Sequence, residues 1–292
     1  MLTDLDKGVV HARETYAKGG FMRELRDKHL TVIGVGNIGR ILLTRLRAAG
    51  VPADHLTVCD ADPERRSAAA AEFGVRAADL TDEAACTADV LLIATPPKAV
   101  AEVLRELAGW LRPGQVVVSF AGLAPLARLE ALLPAGVSVV RVMPSTPSLI
   151  GQGMNPVAYG SSVTPEARTL VKALLTTLGD TIVVRDDQMN WCVGLAGAAM
   201  RSVLPVLEGM TQAGVDAGLP EPDARRVAGQ IVLGTAVLVL QTSLSFDKLK
   251  ALTPVETVDE PAVAQLFREA AHTVKEKMDR AQAKLWTDHA GN

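Results

Sequence analysis

Residues 30–39 run Leu-Thr-Val-Ile-Gly-Val-Gly-Asn-Ile-Gly, and they constrain the fold more than any other stretch of the chain. Leu30 to Ile33 form a short apolar, partly β-branched run, which predicts a buried strand. Gly34, Gly36 and Gly39 follow with the spacing G-x-G-x-x-G, and Ile41, Leu42, Leu43 and Leu46 then recur at helical spacing. The glycines therefore sit on a strand-to-helix turn, the context in which this motif binds a dinucleotide. Gly34 permits the tight turn, Gly36 lets the backbone approach a pyrophosphate, and Gly39 lets the helix pack closely on the strand. Asn37 and Ile38 open the helix, whose free N–H groups and positive dipole end face the anion. Asp60 ends the next apolar run, Leu56-Thr-Val-Cys-Asp60, about 20 residues beyond Gly39, where a ribose-binding acid is expected.

Asp60 also bears on the form of the cofactor. Its carboxylate can accept hydrogen bonds from both ribose hydroxyls of NAD, and its charge repels a 2′-phosphate. Ala61 and Asp62 follow, so no arginine stands at the strand end. Arg65 and Arg66 lie a turn into the next helix, within reach of a phosphate but better read as a solvated helix face. NAD(H) is therefore favoured over NADP(H).

Further strands are expected at 90–94, 116–120, 137–141 and 181–184, with helices between them. That alternation means an α/β domain with a doubly wound parallel sheet. Ligands bind beyond the carboxyl ends of such strands, which puts the glycine turn, Asp60, Ala94, Thr95, Pro96 and Ala121 on one rim. The segment Arg141-Val-Met-Pro-Ser-Thr-Pro147 ends a strand in two prolines three apart. Its rigidity makes Met143 and Ser145 candidates to border a nicotinamide.

From Gln188 onward the strands stop, and helices are expected over roughly 188–216, 221–243, 246–252 and 260–285. The stretch 226–244 is apolar nearly all round, so it needs cover on every side, which an intertwined dimer provides. The expected division is an N-terminal arm over 1–28, a dinucleotide-binding domain over 29–187 and a helical substrate and dimerisation domain over 188–292.

Net charge is −3 with no basic stripe, so nucleic acid is not an expected partner. Cys59, Cys86 and Cys192 lie far apart among apolar neighbours, without metal or disulfide spacing. They read as small buried hydrophobes in a reducing, cytoplasmic setting. The apolar run 231–240 is too short to span a bilayer, and no membrane is expected as partner.

Four stretches together resemble the pyrroline-5-carboxylate reductase family: 32–39; 140–147 with Gly151-Gln-Gly153; 179–195, through Asp187-Gln-Met189; and 208–220, through Ala213-Gly-Val215 to Gly218-Leu-Pro220. The resemblance implies a Rossmann-type N-terminal domain, a C-terminal all-helical dimerisation domain, and hydride transfer between a nicotinamide and a cyclic C=N bond. It also implies a place for Glu208 beside the imine nitrogen, where a carboxylate stabilises an iminium.

Several positions depart from the family pattern. The family's Asn-Arg-Ser/Thr run, which holds the NADP phosphate, is Asp60-Ala61-Asp62 here. The Asn between Met-Pro and Thr-Pro is Ser145, and Ser-Gly-Ser-Gly-Pro is Ala196-Gly-Ala-Ala-Met200, which makes Met200 a candidate substrate contact. The substrate loop Thr-Ser-Pro-Gly-Gly-Thr-Thr, whose backbone N–H groups and hydroxyls hold the substrate carboxylate, is Leu252-Thr-Pro-Val-Glu-Thr-Val258. Val255 and Glu256 replace both glycines, while Thr253 and Thr257 keep hydroxyls able to position a proton or a water. Like charges about 4 Å apart repel by roughly 4 kcal/mol at an effective dielectric near 20. The expectation is therefore a nicotinamide-dependent imine reductase, or the reverse amine oxidase, acting on a small molecule other than pyrroline-5-carboxylate bound in the usual way. The alternatives are an ordinary pyrroline-5-carboxylate reductase of proline biosynthesis and a catalytically silent nucleotide-binding regulator.

Overall fold

The computed structural model describes residues 21–287 apart from Pro254. Most of the expected arm lies outside the described residues, and its end is the short helix α1, Phe21–Arg26. The strands are β1 (Leu30–Ile33), β2 (Leu56–Cys59), β3 (Arg76–Ala77), β4 (Val90–Ile93), β5 (Val116–Ser119), β6 (Ser138–Val142), β7 (Gly153–Met154), β8 (Val157–Tyr159) and β9 (Gly179–Asp180). Beside them run helices α2 (Asn37–Ala48), α3 (Pro63–Phe73), α4 (Glu83–Cys86), α5 (Val100–Ala108), α6 (Leu126–Glu130), α7 (Pro165–Leu178) and α8 (Met189–Cys192). After a π-helical turn, Val193–Gly197, come α9 (Ala199–Asp216), α10 (Glu221–Gln241), α11 (Phe246–Lys250) and α12 (Glu260–Thr287).

The seven-stranded sheet has the order β3-β2-β1-β4-β5-β6-β8. The order reverses between β1 and β4, the switch point at which doubly wound folds open a crevice for dinucleotides. All pairs are parallel except β6 with β8. Central strands read as unbroken apolar runs because both faces are covered. Alternate residues serve opposite faces: Leu30, Val32, Leu92 and Val118 join one core with Leu42, Leu46 and Leu174. Ile33, Leu91, Ile93 and Val117 join the other with Leu104, Leu107 and Leu129.

The expected strand at 181–184 is not one. Val183 makes a single bridge to Val157, and Ile182 and Val183 are exposed. The pairing falls instead on Gly179–Asp180 against Gly153–Met154. At Gly179, φ is +135°, and a Cβ there would collide with the Gly153 backbone, so only glycine allows this approach. The antiparallel strand β8 and the short edge strand β3 had no expectation from sequence.

The described chain groups into two compact units, 21–198 with 272–287, and 199–271. The expected division at 187/188 falls inside the first. In the second unit α9 and α10 pack closely, with a Cβ on Gly214 only 2.8 Å from that of Ala224. Ala224 and Ala228 are the buried positions of α10, whereas Val227 (60% exposed), Ile231, Leu233 and Leu240 (68%) face outward within a single chain. By length and hydropathy alone, the stretch Asp186–Asp216 also meets the criterion for a membrane span, a test that core helices pass as well.

All three cysteines are buried and free. Burial, reinforced by Cys86, pushes the Cys59 thiol up to about 12, and burial pushes that of Cys86 up to about 11. Both are inert small hydrophobes at neutral pH.

Candidate functional site

The parallel register aligns the carboxyl ends of the strands. Ile33 pairs with Cys59 and Ile93, and Ile93 with Ser119, which pairs with Arg141. The ladder continues one step: Gly34 N–H donates to the Cys59 carbonyl, Ala94 to Ile33, and Phe120 to Ile93, at 2.8–2.9 Å. The rim expected from sequence, with the glycine turn, Asp60, Ala94, Thr95, Pro96 and Ala121, lies at these ends.

Each glycine of the turn meets a different constraint. Gly34 has φ +92°, and a Cβ would stand 2.9 Å from the Ala94 carbonyl and the Thr95 nitrogen. A Cβ on Gly39 would land on the Gly34 carbonyl oxygen. One on Gly36 would meet nothing within 4 Å, so there the space is left open. Gly36 is the N-cap of α2, where no side chain caps the helix and no acid stands in the first turn. The N–H groups at Asn37, Ile38 and Gly39 are thus unclaimed by side chains. Beside the turn, the Thr95 hydroxyl is buried with no partner among the described residues. An open cradle, an uncapped helix end and an orphaned hydroxyl fit a dinucleotide pyrophosphate.

Asp60 is tied to this turn. Its Oδ2 accepts from Val35 N–H and its Oδ1 from Asp62 N–H, both at 2.9 Å. The carboxylate is therefore oriented in advance, with lone pairs left for ribose hydroxyls. Both nearby arginines are engaged. Arg65 Nε donates to Asp62 Oδ2 at 2.9 Å, and Arg66 pairs with Asp79.

On the other side of the rim, Met143 is buried between Gly122 and Gly197. A Cβ on Gly122 would stand 2.7 Å from its Cε, and one on Gly197 would stand 3.5 Å from its Sδ. Gly197 lies in the π-helical turn, closed by Ala198 N–H to the Val193 carbonyl at 2.7 Å. Such turns often mark functional sites. The Ser145 hydroxyl accepts from Met154 N–H at 3.0 Å, which closes the proline-rich loop.

Sequence reading missed the hub beneath this loop. Arg141, at the end of β6, is only 1% exposed. Its Nη1 donates to Asp186 Oδ1 at 2.7 Å, and its Nη2 to the Gly122 carbonyl and to Asn190 Oδ1. Asp186 Oδ2 accepts from Leu126 N–H, and Asn190 Nδ2 donates to Asp279 Oδ1 on α12. Trp286 of α12 donates Nε1–H to the Leu123 carbonyl at 2.7 Å. The guanidinium thus fastens β6 to the Gly122 loop and to residues 186–190, and Asn190 carries the connection on to α12. The available signal was a single arginine closing an otherwise Ser/Val-only strand.

Met200, Glu208, Thr253, Val255, Glu256 and Thr257 belong to the second unit. Met200 is half-buried and Glu208 exposed, both on α9. Thr253, Val255, Glu256 and Thr257 are exposed on the loop after α11. Thr253 N–H donates to the Lys250 carbonyl at 2.9 Å. Lys250 pairs with Glu260 at 2.5 Å, and its ammonium pKa is raised by Glu260 first and by Asp247 and Glu256 less. The cation at the end of α11, next to the loop, is therefore already shared among carboxylates. Among the described residues no cluster suits a metal ion.

Residues 29–122 match the family model described as "NADP oxidoreductase coenzyme F420-dependent", and residues 186–284 match that described as "Pyrroline-5-carboxylate reductase dimerisation". The pyrroline-5-carboxylate reductase of Corynebacterium melassecola is 30% identical over 262 residues, covering 86% of this chain and 97% of that protein. In fold, the chain is similar to a pyrroline-5-carboxylate reductase from Coxiella burnetii (TM-score 0.76, 24% identity, 87% of this chain and 98% of that one). It is also similar to the Plasmodium falciparum pyrroline carboxylate reductase solved with NADP bound (TM-score 0.77, 19% identity, 88% and 99%). These matches make the chain a nicotinamide-dependent oxidoreductase that belongs to the pyrroline-5-carboxylate reductase family.

Proposed function

We propose that the protein transfers hydride between NAD(H) and a cyclic C=N bond, on a substrate other than pyrroline-5-carboxylate held in the family's usual way. The observation that carries this reading is the loop 252–258, where Val255 and Glu256 occupy the two glycine positions and bring bulk and negative charge. A backbone anion cradle needs close approach, which glycine permits and valine does not. A bound reduced nicotinamide would supply the hydride for the imine carbon, with a proton going to the nitrogen. The residues of the rim align the cofactor. Gly34, Gly36, Asn37, Ile38 and Gly39 take the pyrophosphate, Asp60 the ribose hydroxyls, and Ala94, Thr95, Pro96, Ala121, Met143 and Ser145 border the remainder. Glu208 stabilises the iminium charge, Thr253 and Thr257 position the proton or a water, and Met200 gives the substrate an apolar contact. A panel of cyclic imines with and without a carboxylate, followed by nicotinamide absorbance, tests this reading. Turnover of an uncarboxylated imine is the expected result, and turnover of none contradicts it.

The second reading is an ordinary pyrroline-5-carboxylate reductase, favoured by similarity that spans nearly the whole of the Corynebacterium enzyme. Growth of a proline auxotroph carrying the gene separates the two.

NADH is the proposed cofactor form. Asp60 faces the ribose position, and both neighbouring arginines are already paired. NADH should give a higher kcat/KM than NADPH, and Asp60→Ala should narrow the ratio. Equal or better use of NADPH contradicts this reading.

The assembly is a homodimer through the helical half. Val227, Ile231, Leu233 and Leu240 of α10 leave an apolar face that the described residues do not cover. The match to a dimerisation model over 186–284 supports the same reading. Sedimentation at micromolar concentration should give a dimer, and a stable monomer contradicts it.

A further inference from the structure

We propose that Asp62, not only Asp60, sets the cofactor specificity, by occupying both groups that would otherwise bind a 2′-phosphate. The inference rests on the NADH reading and deepens it. Asp62 is the N-cap of α3: its Oδ1 accepts from Glu64 N–H at 3.0 Å and Arg65 N–H at 3.2 Å. Its Oδ2 takes the Arg65 Nε–H. A helix N-terminus and an arginine beside the ribose acid are what a phosphate monoester needs. Here one carboxylate satisfies both.

Charge adds to the exclusion. Arg65 Nη2 also lies 3.9 Å from Asp60 Oδ1, so one guanidinium sits between two carboxylates. The cluster of Asp60, Asp62 and Arg65 carries one net negative charge. Arg65 and the capped N–H groups hold the Asp62 carboxyl below the usual carboxylate range, so it stays ionised at neutral pH. Arg66 offers no substitute, because it turns away to Asp79 and to the Asp60 carbonyl. An incoming 2′-phosphate would therefore meet two anions and no free cation among the described neighbours.

Asp62→Ser tests the assignment. Serine keeps the cap, so the fold survives, while the charge is removed and Arg65 is released. The probes are ADP and adenosine 2′,5′-bisphosphate, titrated calorimetrically against the full chain, with no substrate or turnover required. The affinity ratio should move about tenfold towards the bisphosphate, the size expected for one screened charge interaction. Adding Arg65→Ala should reverse the gain. An unchanged ratio in Asp62→Ser, with the wild-type protein preferring ADP, overturns the role of Asp62 alone. A wild-type preference for the bisphosphate overturns the NADH reading itself.

Discussion

Replacing Gly36 by alanine is expected to leave the fold intact and to weaken dinucleotide binding about 10- to 100-fold, whereas the same change at Gly39 is expected to unfold the first β-α-β unit. The two positions differ in what a methyl group meets. At Gly36 it enters open space at the uncapped N-terminus of α2. Thermal unfolding of Gly36→Ala without cofactor should match the wild type. With NADH present, the methyl stands where the pyrophosphate must approach, and hydrogen bonds to a charged group worth about 1.5–3 kcal/mol are lost. Affinity should fall about 10- to 100-fold. At Gly39 the methyl lands on the Gly34 carbonyl, which cannot move because Gly34 N–H is bonded to Cys59. Backbone overpacking of that kind costs about 3 kcal/mol or more. If Gly36→Ala retained full NADH affinity in a calorimetric titration, the pyrophosphate would not sit at this turn.

Arg141→Met should destabilise the dinucleotide-binding unit by about 3 kcal/mol, because removing one partner leaves buried groups uncompensated. At about 2–4 °C per kcal/mol for a unit of this size, the melting temperature should fall by roughly 6–12 °C. The Gly122 carbonyl and Asn190 Oδ1 would lose their donor, and Asp186 its cation. Arg141→Lys should recover only part, since one ammonium lacks the planar fork that spans three acceptors on two segments. A melting temperature within a degree of wild type in Arg141→Met would show that the hub contributes nothing to stability.

How far the sequence was legible follows from the range of the interactions. The glycine turn, the strand before it and Asp60 lie within 31 residues, and their spacing alone specifies a local geometry. The helical half was equally legible, because α9, α10 and α12 are long elements that follow the last strand signal. Arg141 was not, since its partners Gly122, Asp186 and Asn190 come from two other segments, 19 to 49 residues away. The 181–184 run misled because β-branched composition describes a pleated surface, not the backbone contact between Gly153 and Gly179 that decides the pairing. Asp62 was legible as a charge in the run after β2, and Asp62-Pro63-Glu64 carries a cap signal, an N-cap acid followed by proline at the first helical position; its grip on Arg65 is a side-chain contact that spacing alone does not fix.

The loop at Thr253–Thr257 tests the central claim most directly. The measurement is steady-state kcat/KM with NADH for pyrroline-5-carboxylate and for the same ring without its carboxylate, in the wild type and in the double variant Val255→Gly, Glu256→Gly. The wild type should favour the uncarboxylated ring, and the double variant should gain on pyrroline-5-carboxylate while losing on its rival. Efficient reduction of pyrroline-5-carboxylate by the wild type, unchanged in the double variant, would contradict it.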